Sequence, residues 1–188
     1  ESLTTHDVAN SINNITGQNN CKWLVMEWDG RESSGIFVGN PIGWLLRNVN
    51  SSLALFKDNG IRGFSKVLIA LRPGRKNKNF ITVADKICCH FDASLTLLNI
   101  VSASEKKHKV KRIESSSKEL ISNTQCVSNI KIIESNSPVE AVSEESAGYD
   151  LLILGTPEKD NWIRVLFGTG EDRFVKKAAC SVLRLTLK

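Results

Sequence analysis

The sequence predicts an α/β protein: an open, doubly wound, mainly parallel five-stranded sheet with a partial second copy of the same unit. Three observations carry this. From Lys66 onward, short apolar runs alternate with longer segments of helical period. The run Lys66-Val-Leu-Ile-Ala-Leu71 is apolar almost throughout, as a strand buried on both faces must be. Residues 1–57 repeat the tail of the later pattern.

The elements follow in chain order. Asp7 to Ile15 reads as a helix and Cys21-Lys-Trp-Leu-Val-Met-Glu27 as a strand. Gly35-Ile-Phe-Val-Gly39-Asn40 leads into Asn50-Ser-Ser-Leu-Ala-Leu55, with a strand at Ser52 to Phe56, and residues 58–65 form a linker. After the strand ending at Leu71, Pro73-Gly74 breaks the chain, and Phe80, Val83, Ala84 and Ile87 recur at helical spacing. Leu95 to Val101 is the second strand, and the segment holding Leu120 and Ile121 is a weaker helix. Val127 to Glu134 alternates as a strand near an edge does. Ser137-Pro138 opens the next helix with Ser as N-cap, Pro at the first position and Glu140 in the first turn, and Gly148 stops it. Tyr149 to Gly155, a helix from about Gly168 to Ala179, and a final strand Ser181 to Leu187 complete residues 66–188 as a full domain. Cys21 to Glu27 aligns with Tyr149 to Gly155, and Asn50 to Leu55 with Ala179 to Arg184, which makes residues 1–57 the carboxyl part of a first copy.

Composition bounds the function. The 188 residues carry 25 Lys plus Arg against 20 Asp plus Glu, a net charge of +5, with 41% hydrophobic residues, so a large multidomain enzyme is excluded. No apolar run approaches the ~20 residues of a membrane-spanning helix. The opening Glu-Ser-Leu-Thr-Thr is not a secretory signal, and five Cys without Cys-x-x-Cys spacing fit a reducing, cytoplasmic compartment, with Cys88 and Cys89 on different helix faces. The basic run Glu105 to Arg112 has no aromatic residue to stack on a base, so it reads as a solvated loop and nucleic acid is not an expected partner. The three His residues, His6, His90 and His108, are scattered, and Ser33-Ser34, Ser51-Ser52 and Ser115 to Ser117 read as turn or cap residues, with no Gly-x-Ser-x-Gly elbow. Asp29, Glu32, Glu158 and Asp160 have no metal-ligand spacing. No catalytic residue and no metal ligand is expected.

In a doubly wound sheet ligands sit at the carboxyl ends of strands where strand order reverses, which places the site after Leu71 and Leu154. The residues there are Gly155, followed by Thr156, then Glu158, Gly168 and Thr169. This spacing resembles that of the universal stress protein family, over residues 64–188 as a full domain and 4–57 as a partial one. The family pattern is a Gly, a second Gly three residues on, and a Gly-Ser or Gly-Thr after nine more. The resemblance implies a nucleotide pocket in which Gly155, Thr156, Gly168 and Thr169 approach the phosphates of ATP or AMP, their backbone N–H groups facing the anion. Two positions depart from the pattern: Glu158 replaces the middle Gly, and Arg72 stands where the family places an Asp at the end of the first strand. In the partial copy Glu27 replaces the first Gly, and Gly39-Asn40 stand for Gly-Thr. The expectation is therefore a degenerate site with no cofactor; the alternative is ATP or AMP retained with Arg72, Arg75 or Lys76 pairing with phosphate.

Arg-Pro-Gly after the first strand, and Gly39-Asn40-Pro41-Ile42 with Trp44-Leu45-Leu46, are similar to the cytosolic tails of transporters: amino-acid permeases, cation-proton antiporters and cation-chloride cotransporters. That likeness implies a non-catalytic regulatory or assembly domain, cytoplasmic and tethered to the inner face of the plasma membrane through a membrane-embedded part. Self-association or intrachain pairing is expected through the last strands, Ser52 to Phe56 and Ser181 to Leu187, and Trp28, Trp44 and Trp162 are expected to pack between units.

Overall fold

The computed structural model describes residues 7–28, 45, 48–72, 78–155 and 172–188. In chain order the described elements are α1 (Val8–Gln18), β1 (Trp23–Glu27), β2 (Ser52–Lys57), β3 (Lys66–Ala70), α2 (Lys78–Phe91) and β4 (Ser94–Val101). They continue with α3 (Lys107–Ile121), β5 (Ser128–Glu134), α4 (Pro138–Ser146), β6 (Leu151–Gly155), α5 (Arg173–Lys177) and β7 (Ser181–Thr186).

The seven described strands form one sheet in the order β1-β2-β7-β6-β3-β4-β5. Every pairing is parallel except β2 with β7, which is antiparallel and centred on Leu55↔Arg184. Five strands therefore make the doubly wound unit and β1-β2 extend the same sheet across the antiparallel seam. The central strands β3, β4 and β6 are buried on both faces, with Val67, Leu68, Ile69, Leu95, Leu97, Leu98, Leu152 and Ile153 fully enclosed, which is why their sequences read as apolar runs rather than alternations. On one face α2 supplies Phe80, Ile81, Ala84 and Cys88, and α3 adds Leu120 and Ile121. On the other face α4 and α5 contribute Val142 and Val175 against Leu68, Leu98, Leu152 and Val182.

Side-chain bonds fix the connections. The Asp58 carboxylate accepts from the Gly60 and Ile61 N–H groups and the Ser181 hydroxyl, and the Asn59 amide donates to the Ala178 and Cys180 carbonyls at 3.1 and 2.9 Å, which ties residues 58–61 to the start of β7. Gly60 there has φ +84°, a left-handed conformation natural to glycine. Asp150 Oδ2 accepts from the Ser65 and Lys66 N–H groups at 2.8 Å each, joining the starts of β6 and β3. Asn99, buried in β4, donates to Ser117 of α3 at 2.9 Å.

Several expectations are corrected. The basic run is not a loop: from Lys107 it is the first half of α3. Lys and Arg are good helix formers, and Val110, Ile113 and Ser117 recur at helical spacing toward the sheet while the cations face water. Ser115 to Ser117 accordingly lie inside a helix rather than in a turn. Ser137 holds the N-cap position of α4 but makes no side-chain capping bond. Val127 precedes its strand and is 73% exposed. The last helix does not reach Ala179, because Ala178 already has an extended ψ of 136°; residues 168–171 lie outside the described residues. Trp28 is buried in the core, whereas Trp44 and Trp162 lie outside the described residues. So do His6, Ser33, Ser34, Asp29, Glu32 and Asp160.

Candidate functional site

β3 and β6 are parallel neighbours with Ala70 paired to Leu154, so their carboxyl ends lie side by side. The chain runs outward from β3 through β4 to β5 on one side and from β6 to β7 on the other. The strand order thus reverses between β3 and β6, the position at which open α/β sheets bind ligands. Of the residues expected there, Gly155 and Arg72 are described. Thr156, Gly168 and Thr169 lie outside the described residues, as do Glu158, Arg75 and Lys76. Arg72 follows the buried Leu71 and is exposed.

Gly155 is occupied from an unforeseen direction. A Cβ placed on it would meet three ring atoms of Phe80 at 3.1 to 3.3 Å. Phe80 projects from the first turn of α2, is 9% exposed, and belongs to the same core cluster as Leu71 and Ile153. The absence of a side chain at Gly155 therefore makes room for an aromatic ring of this chain. In the sequence Phe80 is simply one apolar position in a helical period, and nothing there distinguishes it from Ile81 or Val83.

A second group missed from the sequence closes the opposite face of this strand end. Arg184, from the middle of β7, donates from Nη1 to the Gly155 carbonyl at 3.2 Å. Its other nitrogen lies against Asp172 Oδ2 in an ion pair that leaves the Arg184 side chain 11% exposed and Asp172 fully buried. Asp172 Oδ1 simultaneously accepts from the Phe174 and Val175 N–H groups, capping α5. One guanidinium thus holds the end of β6 to the start of α5. Burial pushes the Arg184 pKa down and the Asp172 carboxylate opposes that shift, and an arginine remains charged at neutral pH. The legible signal was a lone cation at the centre of an apolar strand.

Elsewhere, Asp85 Oδ1 collects the Gln125 and Cys126 N–H groups at 2.9 and 3.0 Å and the Cys89 thiol at 3.6 Å, pinning the turn after α3 to α2. A groove of about 560 Å³ lies beside it, lined by Ile81, Asp85, Cys89, His90 and Leu120 among others. Cys88 is buried on one side of α2 and Cys89 exposed on the other. Burial pushes the Cys88 thiol up to about 11 and raises those of Cys126 and Cys89 as well, so none of these is an activated nucleophile. Among the described residues no group of three or more His, Cys, Asp or Glu side chains is arranged to hold a metal ion. No described helix is long and apolar enough to cross a membrane.

Comparison with family models and with curated proteins returns no match. Solved structures do match. A universal stress protein from Archaeoglobus fulgidus superposes with a TM-score of 0.65 at 15% identity, over 94% of this chain and 64% of its own length. The cytoplasmic domain of a prokaryotic cation chloride cotransporter gives a TM-score of 0.60 at 11% identity, over 96% of this chain and 70% of that one. A universal stress protein in complex with cAMP gives 0.51 at 14% identity, over 65% of this chain and 96% of that one. The fold is that of universal stress protein structures, and this chain spans less than two thirds of the length of the A. fulgidus example.

Proposed function

We propose that the chain is a non-catalytic regulatory or assembly domain of universal stress protein type, acting in the cytoplasm as the soluble part of a membrane transporter and without a bound nucleotide. The observation that carries the proposal is the Phe80 ring against Gly155. In a nucleotide-binding reading that glycine lets phosphate approach the backbone, and here the space above it is taken by a side chain from α2. Arg184 is likewise committed, its charge balanced by Asp172 and one N–H given to the Gly155 carbonyl. Glu158 stands in the sequence where the family pattern has a Gly, and a carboxylate there repels phosphate, while Arg72 replaces the Asp that the pattern places at the end of the first strand. Likeness to a transporter's cytoplasmic domain over 96% of this chain supports the second half of the reading.

The competing reading is a nucleotide sensor, favoured by the likeness to a structure holding cAMP. Calorimetric titration with ATP and AMP, with and without magnesium, separates the two. The proposal expects no heat and no thermal shift at millimolar nucleotide. Micromolar binding that Gly155→Glu abolishes, while circular dichroism shows the variant folded, would establish the sensor instead.

A further inference from the structure

The described helices on the two faces of the sheet differ in charge. On the face of α2 and α3, residues 78–91 and 105–121 hold eight Lys or Arg against four Asp or Glu. On the face of α4 and α5, residues 138–146 and 172–177 hold three against four. The excess is concentrated further, because the acids near α3 are already engaged. Glu105 pairs with Lys109 and Glu114 with Lys118, each four residues along the chain, and Asp85 Oδ1 is taken by the Gln125 and Cys126 N–H groups. Lys78, Lys106, Lys107, Lys111 and Arg112 are exposed and form no ion pair with another described residue.

These cations share one end of the layer. Lys107 and Lys111 are one helical turn apart, as are His108 and Arg112. Val110, Ile113 and Ser117 turn the opposite side of α3 toward the sheet, which leaves all four facing water. Because β3 and β4 are parallel neighbours, α2 and α3 both start at the carboxyl end of the sheet, so Lys78 opens α2 at the end where Lys107 opens α3. Solubility does not require this placement. The first turn of α3 has no acidic residue, and Lys106 at its N-cap makes no side-chain capping bond, so the cations sit at the positive end of the helix dipole, where they weaken the helix. A local rule broken with no structural return marks a surface kept for a partner.

We propose that the Lys106–Arg112 end of α3, together with Lys78, docks on the surface of a bilayer containing anionic phospholipids. Residues 105–121 include no aromatic side chain to stack on a base, and the water-facing side of α3 presents no apolar side chain to insert among acyl chains. The contact is therefore one of charge with headgroups. It does not depend on the transporter reading, and its failure would leave that reading standing.

The test is co-sedimentation of the full chain with vesicles of phosphatidylcholine alone and of phosphatidylcholine mixed with phosphatidylserine. Binding is expected to the mixed vesicles only, and to fall steeply as added salt shortens the screening length. Lys107→Gln/Lys111→Gln/Arg112→Gln should weaken it about a hundredfold, at about fivefold per charge removed. Arg173→Gln/Lys176→Gln/Lys177→Gln lowers the net charge equally on the opposite face and should leave binding unchanged. Gln is a good helix former, and circular dichroism checks that both variants fold. Should the first not fold, Lys111→Gln alone is read, with about a fivefold loss expected. No binding to mixed vesicles at low salt, equal binding to phosphatidylcholine alone, or equal losses in the two triple variants overturns the proposal. So does a duplex oligonucleotide that binds more tightly and displaces the vesicles, since the partner is then a nucleic acid.

Discussion

At the scale of single residues, Arg184 and Asp172 make the sharpest demand. A buried ion pair adds little over a hydrophobic replacement, yet removal of one partner leaves a charge without its counter-charge, at roughly 3–5 kcal/mol. Arg184→Met is therefore expected to lower stability by about that much in urea unfolding. Asp172→Asn keeps the α5 cap, since Asn caps as well as Asp, so its loss isolates the charge from the cap. The double variant should recover part of the loss, and strictly additive losses would sink the pairing argument. Gly155 and Phe80 give a second cycle. Gly155→Ala places a methyl 3.1 to 3.3 Å from the ring, an overpacking expected to cost about 1–3 kcal/mol. In a Phe80→Ala background that penalty should vanish; if it persists, Gly155 answers to something other than the ring. The cysteines supply a chemical readout. With Cys88 and Cys180 thiols pushed up to about 11 by burial, native protein at pH 8 should leave both unmodified by iodoacetamide while Cys89 reacts, and guanidinium should open all of them. Mass spectrometry of the digests reads this directly.

Elements are held to one another by carboxylates more than by surface ion pairs. Burial alone would raise the Asp150 pKa, but the Ser65 and Lys66 N–H groups and the Ser65 hydroxyl outweigh it and hold it below the ordinary value. A depressed carboxylate contributes stability above its unfolded pKa and loses it as pH falls through the folded one. Asp150→Asn should consequently unfold more easily than wild type at pH 7, with the two denaturation midpoints converging below about pH 4; a gap that stays constant into acid would exclude the charge as its source. At this scale the sequence was most legible where burial is two-sided or caps are explicit. The apolar runs of β3 and β6, the Pro138 start of α4 and the Gly148 stop all gave their elements. It was least legible where local and tertiary signals differ: Glu105 to Arg112 reads as charge, and only the spacing of Val110, Ile113 and Ser117 against the sheet makes it a helix. The candidate site divided in the same way. Gly155 was placed correctly at a strand end, but its packing partner Phe80 comes from a residue 75 positions earlier, a contact that no local pattern encodes.

For the molecule as a whole, the antiparallel seam between β2 and β7 decides how the chain behaves as a unit. Both core clusters cross it. Leu53 and Leu55 pack in one cluster with Val182, Leu152, Leu68 and Leu98, while Ala54 packs in the other with Leu185, Ile153, Ile69 and Leu97. Asp58 and Asn59 bond across it to Ser181, Ala178 and Cys180. Shared clusters couple the stability of β1-β2 to that of the doubly wound sheet, so the two are expected to unfold together rather than in sequence. Leu53 is 2% exposed and lies opposite Thr186 on the seam. Leu53→Ala removes buried side-chain volume there, at a cost of about 2–5 kcal/mol. The decisive comparison is between amides beside the substitution and amides far from it. Exchange of Leu97 and Leu98 in β4 should quicken by the same free energy as that of Leu55 and Phe56 in β2, because both exchange through one global opening. Unchanged protection in β4 beside a loss in β2 would mean that β1-β2 detach on their own, and the seam would then be a contact between two separately stable parts.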